Sequence, residues 1–276
     1  MTETTRRLRV PDLKAMKQRG TRIVMITAYD ATMTRLMERA GVDVLLVGDS
    51  LGMVVLGYET TVPVTLDAMV HHARAVSGAA KRCLVVADMP FLTYQPSVSR
   101  AMRHAARLIQ EGGANAVKLE GGRPVLDVVR RLVEAGIPVM GHLGLLPQSV
   151  NQLGGFRPQA RGETDARRLR EDAQALEDAG AFAVVLESIP PDVAESVTAA
   201  LRIPTIGIGA GAHCDGQVLV SNDVLGLSDG AMPPFAKQYA RLGEIAVEAA
   251  RSFASEVREG IYPPMHAGVA AGNKKE

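Results

Sequence analysis

Short apolar runs recur along this chain, several of them close on a carboxylate, and stretches with helical periodicity separate them. Residues 42–47 lead into Gly48-Asp49-Ser50, 83–88 end on Asp88, 116–120 end on Glu120, and 182–187 end on Glu187. Valine- and leucine-rich runs of this length are what strands buried on both faces look like, as in parallel sheets. Further strands are predicted over 22–30, 138–142 and 204–209, with an eighth inside 217–227. Helices are predicted over 11–17, from Asp30 as cap to Gly41, from near Thr65, and over 97–112, 124–136, 165–179, 192–200 and 235–258. One phrase repeats at the joints: Glu-Arg-Ala-Gly41, Glu-Gly-Gly113, Glu-Ala-Gly136 and Asp-Ala-Gly180 each precede an apolar run. Glycine there suits the left-handed position that ends a helix.

Eight strands alternating with helices, without hairpin dipeptides, predict a (β/α)8 TIM barrel. A doubly wound open sheet is the alternative, and the lack of a GxGxxG after the first strand weighs against it. Residues 1–20 read as a basic lead with a short helix that plugs the base of the barrel. The barrel itself is expected over 21–260 and a flexible tail over 261–276. The long polar segment 143–163, with Gly154-Gly155 and two prolines, reads as a lid or binding loop.

Composition narrows the partners. With 31 basic and 30 acidic residues the net charge is +1, so no field exists to hold nucleic acid or an anionic membrane. Trp is absent and aromatics are 4%, which removes stacking platforms. The two cysteines, Cys83 and Cys214, lie far apart in sequence and are expected to be reduced. No signal peptide or membrane-length apolar window is visible, so a cytoplasmic protein is expected.

Barrels of this class bind ligands at the carboxyl ends of their strands, so the four strand-end acids are expected to face one place. Asp49 and Asp88, on neighbouring strands, could share an ion, and hard oxygens without cysteine or histidine suit Mg²⁺. The alternative is that each caps the following helix. Lys118 and Glu120 alternate on one strand and both point inward, either as an internal ion pair or as a clamp for a substrate carboxylate with an acid near the metal. Glu187 closes the most apolar strand, where burial would raise its pKa and strengthen it as a base; its other reading is a cap for the helix beginning near Pro190. His142, in Gly-His-Leu-Gly, is read as orienting a neighbour or hydrogen-bonding substrate. Gly207-Ile-Gly-Ala-Gly211 is read as a tight loop that contacts a bulky cosubstrate.

Six blocks in order, Gly48-Asp-Ser-Leu-Gly-Met53, Val86-Ala-Asp-Met-Pro-Phe91, Ala116-Val-Lys-Leu-Glu-Gly-Gly122, Gly141-His-Leu-Gly-Leu145, Val185-Leu-Glu-Ser-Ile-Pro190 and Ile203-Pro-Thr-Ile-Gly-Ile-Gly-Ala-Gly211, resemble the ketopantoate hydroxymethyltransferase family. The resemblance spans about residues 10–260. It implies a Mg²⁺-dependent barrel of the cytoplasm, assembled as a homodecamer. The implied reaction moves a hydroxymethyl group from 5,10-methylenetetrahydrofolate to 3-methyl-2-oxobutanoate, giving 2-dehydropantoate through a Mg²⁺-stabilised enolate in pantothenate biosynthesis. It further implies Asp49 and Asp88 as metal ligands with Glu120 beside them, and Asp49, Ser50, Asp88 and Lys118 as 2-oxo acid contacts. Glu187 is implied as proton acceptor. Segment 154–161 is similar to the family's loop but carries Pro158 and Ala160 where an aliphatic residue and glycine are expected. A lyase or mutase of the phosphoenolpyruvate mutase and isocitrate lyase kind would use a similar barrel. Those lyases share a Lys-Lys-Cys-Gly-His loop, and neither cysteine here sits in one. A non-catalytic barrel that binds a metabolite is the remaining alternative.

Overall fold

The computed structural model describes residues 6–228, 230, 232–264 and 267. Eight strands, β1 (Ile23–Thr27), β2 (Val44–Val47), β3 (Leu84–Asp88), β4 (Ala116–Glu120), β5 (Val139–Gly144), β6 (Ala183–Glu187), β7 (Thr205–Ile208) and β8 (Gly216–Leu219), pair in sequence order. All pairings are parallel, and Ile23 opposite Gly216 brings β8 back to β1, so the sheet is a closed barrel and not an open doubly wound one. Helices α1 (Val10–Gln18), α2 (Ala31–Arg39), α3 (Leu51–Val54), α4 (Leu66–Ala79), α5 (Val98–Gln110), α6 (Leu126–Glu134), α7 (Val150–Leu153), α8 (Glu163–Asp178), α9 (Pro191–Ala200), α10 (Ser221–Leu225) and α11 (Leu242–Arg258) complete the described elements, with 3-10 turns at Arg123–Val125 and Pro147–Ser149.

The two-residue period of the strands builds the interior in layers. Ile23, Met25, Val44, Leu46, Leu84, Val86, Ala116, Met140, Ala183, Val185, Ile206 and Val218 form one buried apolar cluster inside the barrel. Leu13 and Met16 of α1 belong to the same cluster. Lys17 holds α1 there, its Nζ donating to Asp215 Oδ2 and to the Thr198 carbonyl, each at 2.8 Å. One step further along the strands the inward positions turn polar: Asp88, Lys118, Glu120 and His142 are buried, and Glu187 is half-buried.

The chain separates into two compact units: residues up to Ser221 with 234–236, and residues 222–233 with the chain from 237 onward. The second contains α11, which has no buried residue and presents Ile245, Val247, Phe253 and Val257 to solvent. Three sequence expectations are corrected here. The last helix begins at Leu242, not near 235. Phe235 is instead held beside Gly209, where a Cβ would strike its ring, and Ala236 is buried, so this stretch serves the barrel before a helix can start. The eighth strand occupies only Gly216–Leu219, because the chain turns into α10 at Ser221. The 143–163 segment is partly regular, since β5 runs to Gly144 and Pro147–Ser149 leads into α7. Of the expected tail, Ile261 to Pro264 are exposed, and all that follows except Ala267 lies outside the described residues.

Candidate active site

Strand register determines which side chains meet. Asp88 stands opposite Lys118, Glu120 opposite His142, and Glu187 opposite Gly144. Asp49 and Ser50 follow β2 directly, where Ser50 opens α3. The Asp49 backbone N–H donates to Asp88 Oδ2 at 3.1 Å, so these two acids are adjacent. Gly48 permits the approach, because a Cβ there would lie 2.8 Å from Ser50 Oγ and 3.5 Å from Asp88 Oδ2. All four strand-end acids and Lys118 therefore share the carboxyl-end mouth of the barrel.

The capping alternatives fail on geometry. Asp30, Thr65 and Ser97 cap α2, α4 and α5, while neither Asp49 nor Asp88 makes a cap. The helix after Glu187 begins at Pro191 with Pro190 as its N-cap residue and no side-chain cap. The Lys118–Glu120 ion pair does not form either. Lys118 Nζ instead meets Asp88 Oδ1 at 2.8 Å across the β3–β4 register and lies 3.3 Å from His142 Nδ1.

Electrostatics follow from burial and crowding. Burial first, then the neighbouring Asp88, pushes the Asp49 carboxyl up to about 7, against the pull of Lys118. Burial and Asp49 likewise hold Glu120 well above the usual carboxylate range. Burial works against a charged Lys118, but Asp88, Glu120 and Asp49 overcome it and raise its pKa. Burial and the Lys118 ammonium lower His142, which is therefore neutral near pH 7. With Lys118 as donor to Nδ1, the proton of neutral His142 is on Nε2, 3.1 Å from Glu187 Oε2 in a contact off the preferred hydrogen-bond direction. Glu187 is the most open of the four acids, its side chain 15% exposed against 4% for Asp88 and Glu120.

Buried Asp88 Oδ1 has the Lys118 contact but no hydrogen bond of good geometry. Two adjacent, desolvated carboxylates with a spare oxygen make a hard-oxygen site of the kind Mg²⁺ accepts with one or two protein carboxylates, the rest of its shell being water and substrate. Among the described residues no group of three or more His, Cys, Asp or Glu side chains forms a preformed metal cage. The donor set fits a cation that relies on substrate to complete its shell.

Three participants carry no sequence signal of the kind the acids do. Gln148, in the 3-10 turn after β5, donates from Nε2 to Asp49 Oδ2 at 2.8 Å and to the Met89 carbonyl at 2.9 Å. Its backbone N–H donates to Glu120 Oε2 at 3.1 Å. Tyr94 is buried against Gln148 and the Glu120 backbone, and Tyr29 Oη lies 2.9 Å from Ser50 Oγ. Strand periodicity points to residues on strands; these sit in loops, and their polar partners become visible only in three dimensions.

The sequence profile of the ketopantoate hydroxymethyltransferase family matches residues 7–265. The chain is 60% identical to the 3-methyl-2-oxobutanoate hydroxymethyltransferase of Moorella thermoacetica over 257 residues, covering 93% of this chain and 96% of that protein. It is 54% identical to the enzyme of the same name from Syntrophus aciditrophicus, covering 94% and 95% respectively. In three dimensions it is similar to phosphonopyruvate hydrolase, solved with oxalate and Mg²⁺, with a TM-score of 0.62 at 14% identity over 95% of this chain and 91% of that one. It is also similar to 2,3-dimethylmalate lyase, with a TM-score of 0.59 at 16% identity over 94% and 88%. At such low identity these structures establish the barrel fold alone.

Proposed function

The chain belongs to the ketopantoate hydroxymethyltransferase family, and from that premise we propose how its own residues carry a hydroxymethyl group to 3-methyl-2-oxobutanoate. The one observation that supports the reading most is the convergence of Asp49, Asp88, Lys118, Glu120, His142 and Glu187 in a single contact network at the mouth of the barrel.

In this reading Asp49 and Asp88 hold a Mg²⁺ ion with Glu120 beside it. When bound, the cation supplies positive charge where negative charge develops on the ketone oxygen, a contribution of several kcal/mol. Asp49, Ser50, Asp88 and Lys118 receive the 2-oxo acid, and the Lys118 ammonium faces its carboxylate. Glu187, half-open to the mouth, takes the proton from the branched carbon next to the ketone. Neutral His142 stands beside Glu187, its Nε2 3.1 Å from Oε2, without placing a second cation there. The resulting carbon nucleophile bonds to the methylene carbon of 5,10-methylenetetrahydrofolate as one of that carbon's two bonds to folate nitrogen breaks. Water then displaces the second nitrogen and supplies the hydroxyl, and the two nitrogens take up the proton carried by Glu187 and the one released from water, giving tetrahydrofolate. We further propose a homodecamer working in the cytoplasm. No helix among the described residues is long and apolar enough to cross a membrane, which is compatible with that location.

The test is isotopic. With 3-methyl-2-oxobutanoate and Mg²⁺ in deuterated water and no folate, proton NMR should show loss of the C3 proton signal. General bases contribute about 10²–10⁴-fold, so Glu187→Gln should slow that exchange by at least about 100-fold. Exchange at the wild-type rate in the variant removes Glu187 from the role of base. No exchange in the wild type, even with folate added, would favour a barrel that merely binds the acid.

A further inference from the structure

The carboxamide of Gln148 has its orientation fixed from both ends. The Met89 carbonyl can only accept, so the amide nitrogen must face it, and the same nitrogen then faces Asp49 Oδ2 at 2.8 Å. The amide oxygen lies 2.9 Å from Tyr94 Oη. That hydroxyl receives the Glu120 backbone N–H at 3.1 Å, so its proton is available for Gln148, a shorter partner than the Glu120 carbonyl at 3.2 Å. The Gln148 backbone N–H adds a bond to Glu120 Oε2 at 3.1 Å. One buried residue thus fastens acids from the ends of β2 and β4, using the backbone at the end of β3 and the loop after it as anchors.

The charge of the donor matters as much as its position. Lys118 already supplies a cation on one side of the acids, and a second cation at Gln148 would repel a divalent ion. A neutral amide can orient an ionised carboxylate without that penalty, and a hydrogen bond to a charged group is stronger than one between neutral groups. With Oδ2 of Asp49 held by the amide, the carboxylate has a fixed orientation, and its other oxygen would be the one to serve a shared ion.

We propose that Gln148 is a positioning residue that sets the affinity of the Asp49–Asp88 pair for a divalent cation. The inference rests on the metal reading above. Partners that orient metal-ligating groups typically change metal affinity about 10–100-fold when removed.

The experiment is calorimetric titration of Mg²⁺ into EDTA-treated, dialysed protein, without substrate, for wild type, Gln148→Met, Gln148→Ala, Tyr94→Phe and Asp88→Asn. Thermal unfolding of each metal-free variant serves as the control for folding. Gln148→Met preserves volume and is expected to fold, with Mg²⁺ Kd raised about tenfold or more. Tyr94→Phe retains the amide but frees its oxygen end and should show a smaller rise. A folded Gln148→Met variant that binds Mg²⁺ within about twofold of wild type overturns the proposal, as does a loss of thermal stability with unchanged Kd, which is what a purely structural role predicts. If Gln148→Ala alone unfolds, the Met variant decides. A wild type that binds no Mg²⁺, or an Asp88→Asn variant that binds it normally, would instead overturn the metal site itself and this inference with it.

Discussion

Gly144 ends β5 at φ +95° with its carbon directly against the backbone of the proposed base. A Cβ there would run into the Glu187 carbonyl oxygen and come within 2.7 Å of Ile189 Cγ2. The same carbonyl accepts the Leu145 N–H at 2.9 Å, so it cannot move away without breaking a ladder bond. Gly144→Ala combines left-handed strain of about 1–2 kcal/mol with this overlap. We expect it to lower thermal stability and to slow C3 exchange by displacing Glu187, while calorimetric Mg²⁺ affinity stays near wild type. Equal loss of exchange and metal binding would mean that the whole mouth had collapsed. The residues legible in the sequence share one property with Glu187: they lie in the carboxyl-terminal halves of strands, where a period of two places Asp88, Lys118, Glu120 and His142 inward. Ala160 was also readable as unusual, standing where glycine is expected, and its φ of +54° gives the physical reason. Gln148 and Tyr94 obey no period, and Tyr29, although in step with Ile23 and Met25, lies beyond the end of β1; their roles come from partners such as Asp49, 99 residues away from Gln148 in sequence.

The repeated helix-to-strand joints look alike in sequence, yet one residue of spacing divides them into two kinds. Glu38 and Glu177 stand three residues before Gly41 and Gly180, and each reaches the loop that enters the next strand but one. Glu38 accepts backbone N–H groups of Lys81, Arg82 and Cys83 at 2.7–3.0 Å, and Glu177 accepts those of Arg202 and Ile203 at 2.8 and 3.0 Å. Glu111 and Glu134 stand two residues before their glycines and only pair with Arg107 and Arg131 on the surface. Glu177→Ala strands two backbone donors and should cost about 1–3 kcal/mol in denaturant unfolding. Glu134→Ala should change stability by no more than about 0.5 kcal/mol. Similar losses in both would show that the anchor contributes nothing beyond helix propensity. The repeated glycine phrase announces the joints, but which glutamate becomes an anchor depends on where the neighbouring unit passes. The start of α11 is missed for a related reason: Phe235 fits a helical pattern locally, but the glycine-rich turn after β7 holds it.

Across the whole molecule, the barrel concentrates carboxyl groups where it has the least water, so the proposed binding of a divalent ion there would be coupled to release of a proton. Asp49 is lifted from 3.8 to about 7 in the folded, metal-free protein. A carboxyl whose pKa is higher folded than unfolded binds its proton more tightly in the native state. Its ionisation therefore erodes stability as pH rises from about 4 to about 7, and the loss is complete above that. A divalent ion at Asp49 and Asp88 requires the ionised form and reverses this penalty, so binding releases a proton below pH 7 and none well above it. The Mg²⁺ Kd should accordingly fall about tenfold per pH unit up to pH 7 and level off by pH 8, and Glu120, which burial and Asp49 shift in the same upward direction, can steepen the slope. At fixed millimolar Mg²⁺ the gain in unfolding temperature over an EDTA-treated sample should be larger at pH 8 than at pH 6. Calorimetry in two buffers of different ionisation enthalpy measures the released proton directly. A Kd that does not change between pH 6 and pH 8 would mean that Asp49 is already ionised before the metal arrives, and that the crowding of acids at the mouth is neutralised by the protein's own Lys118.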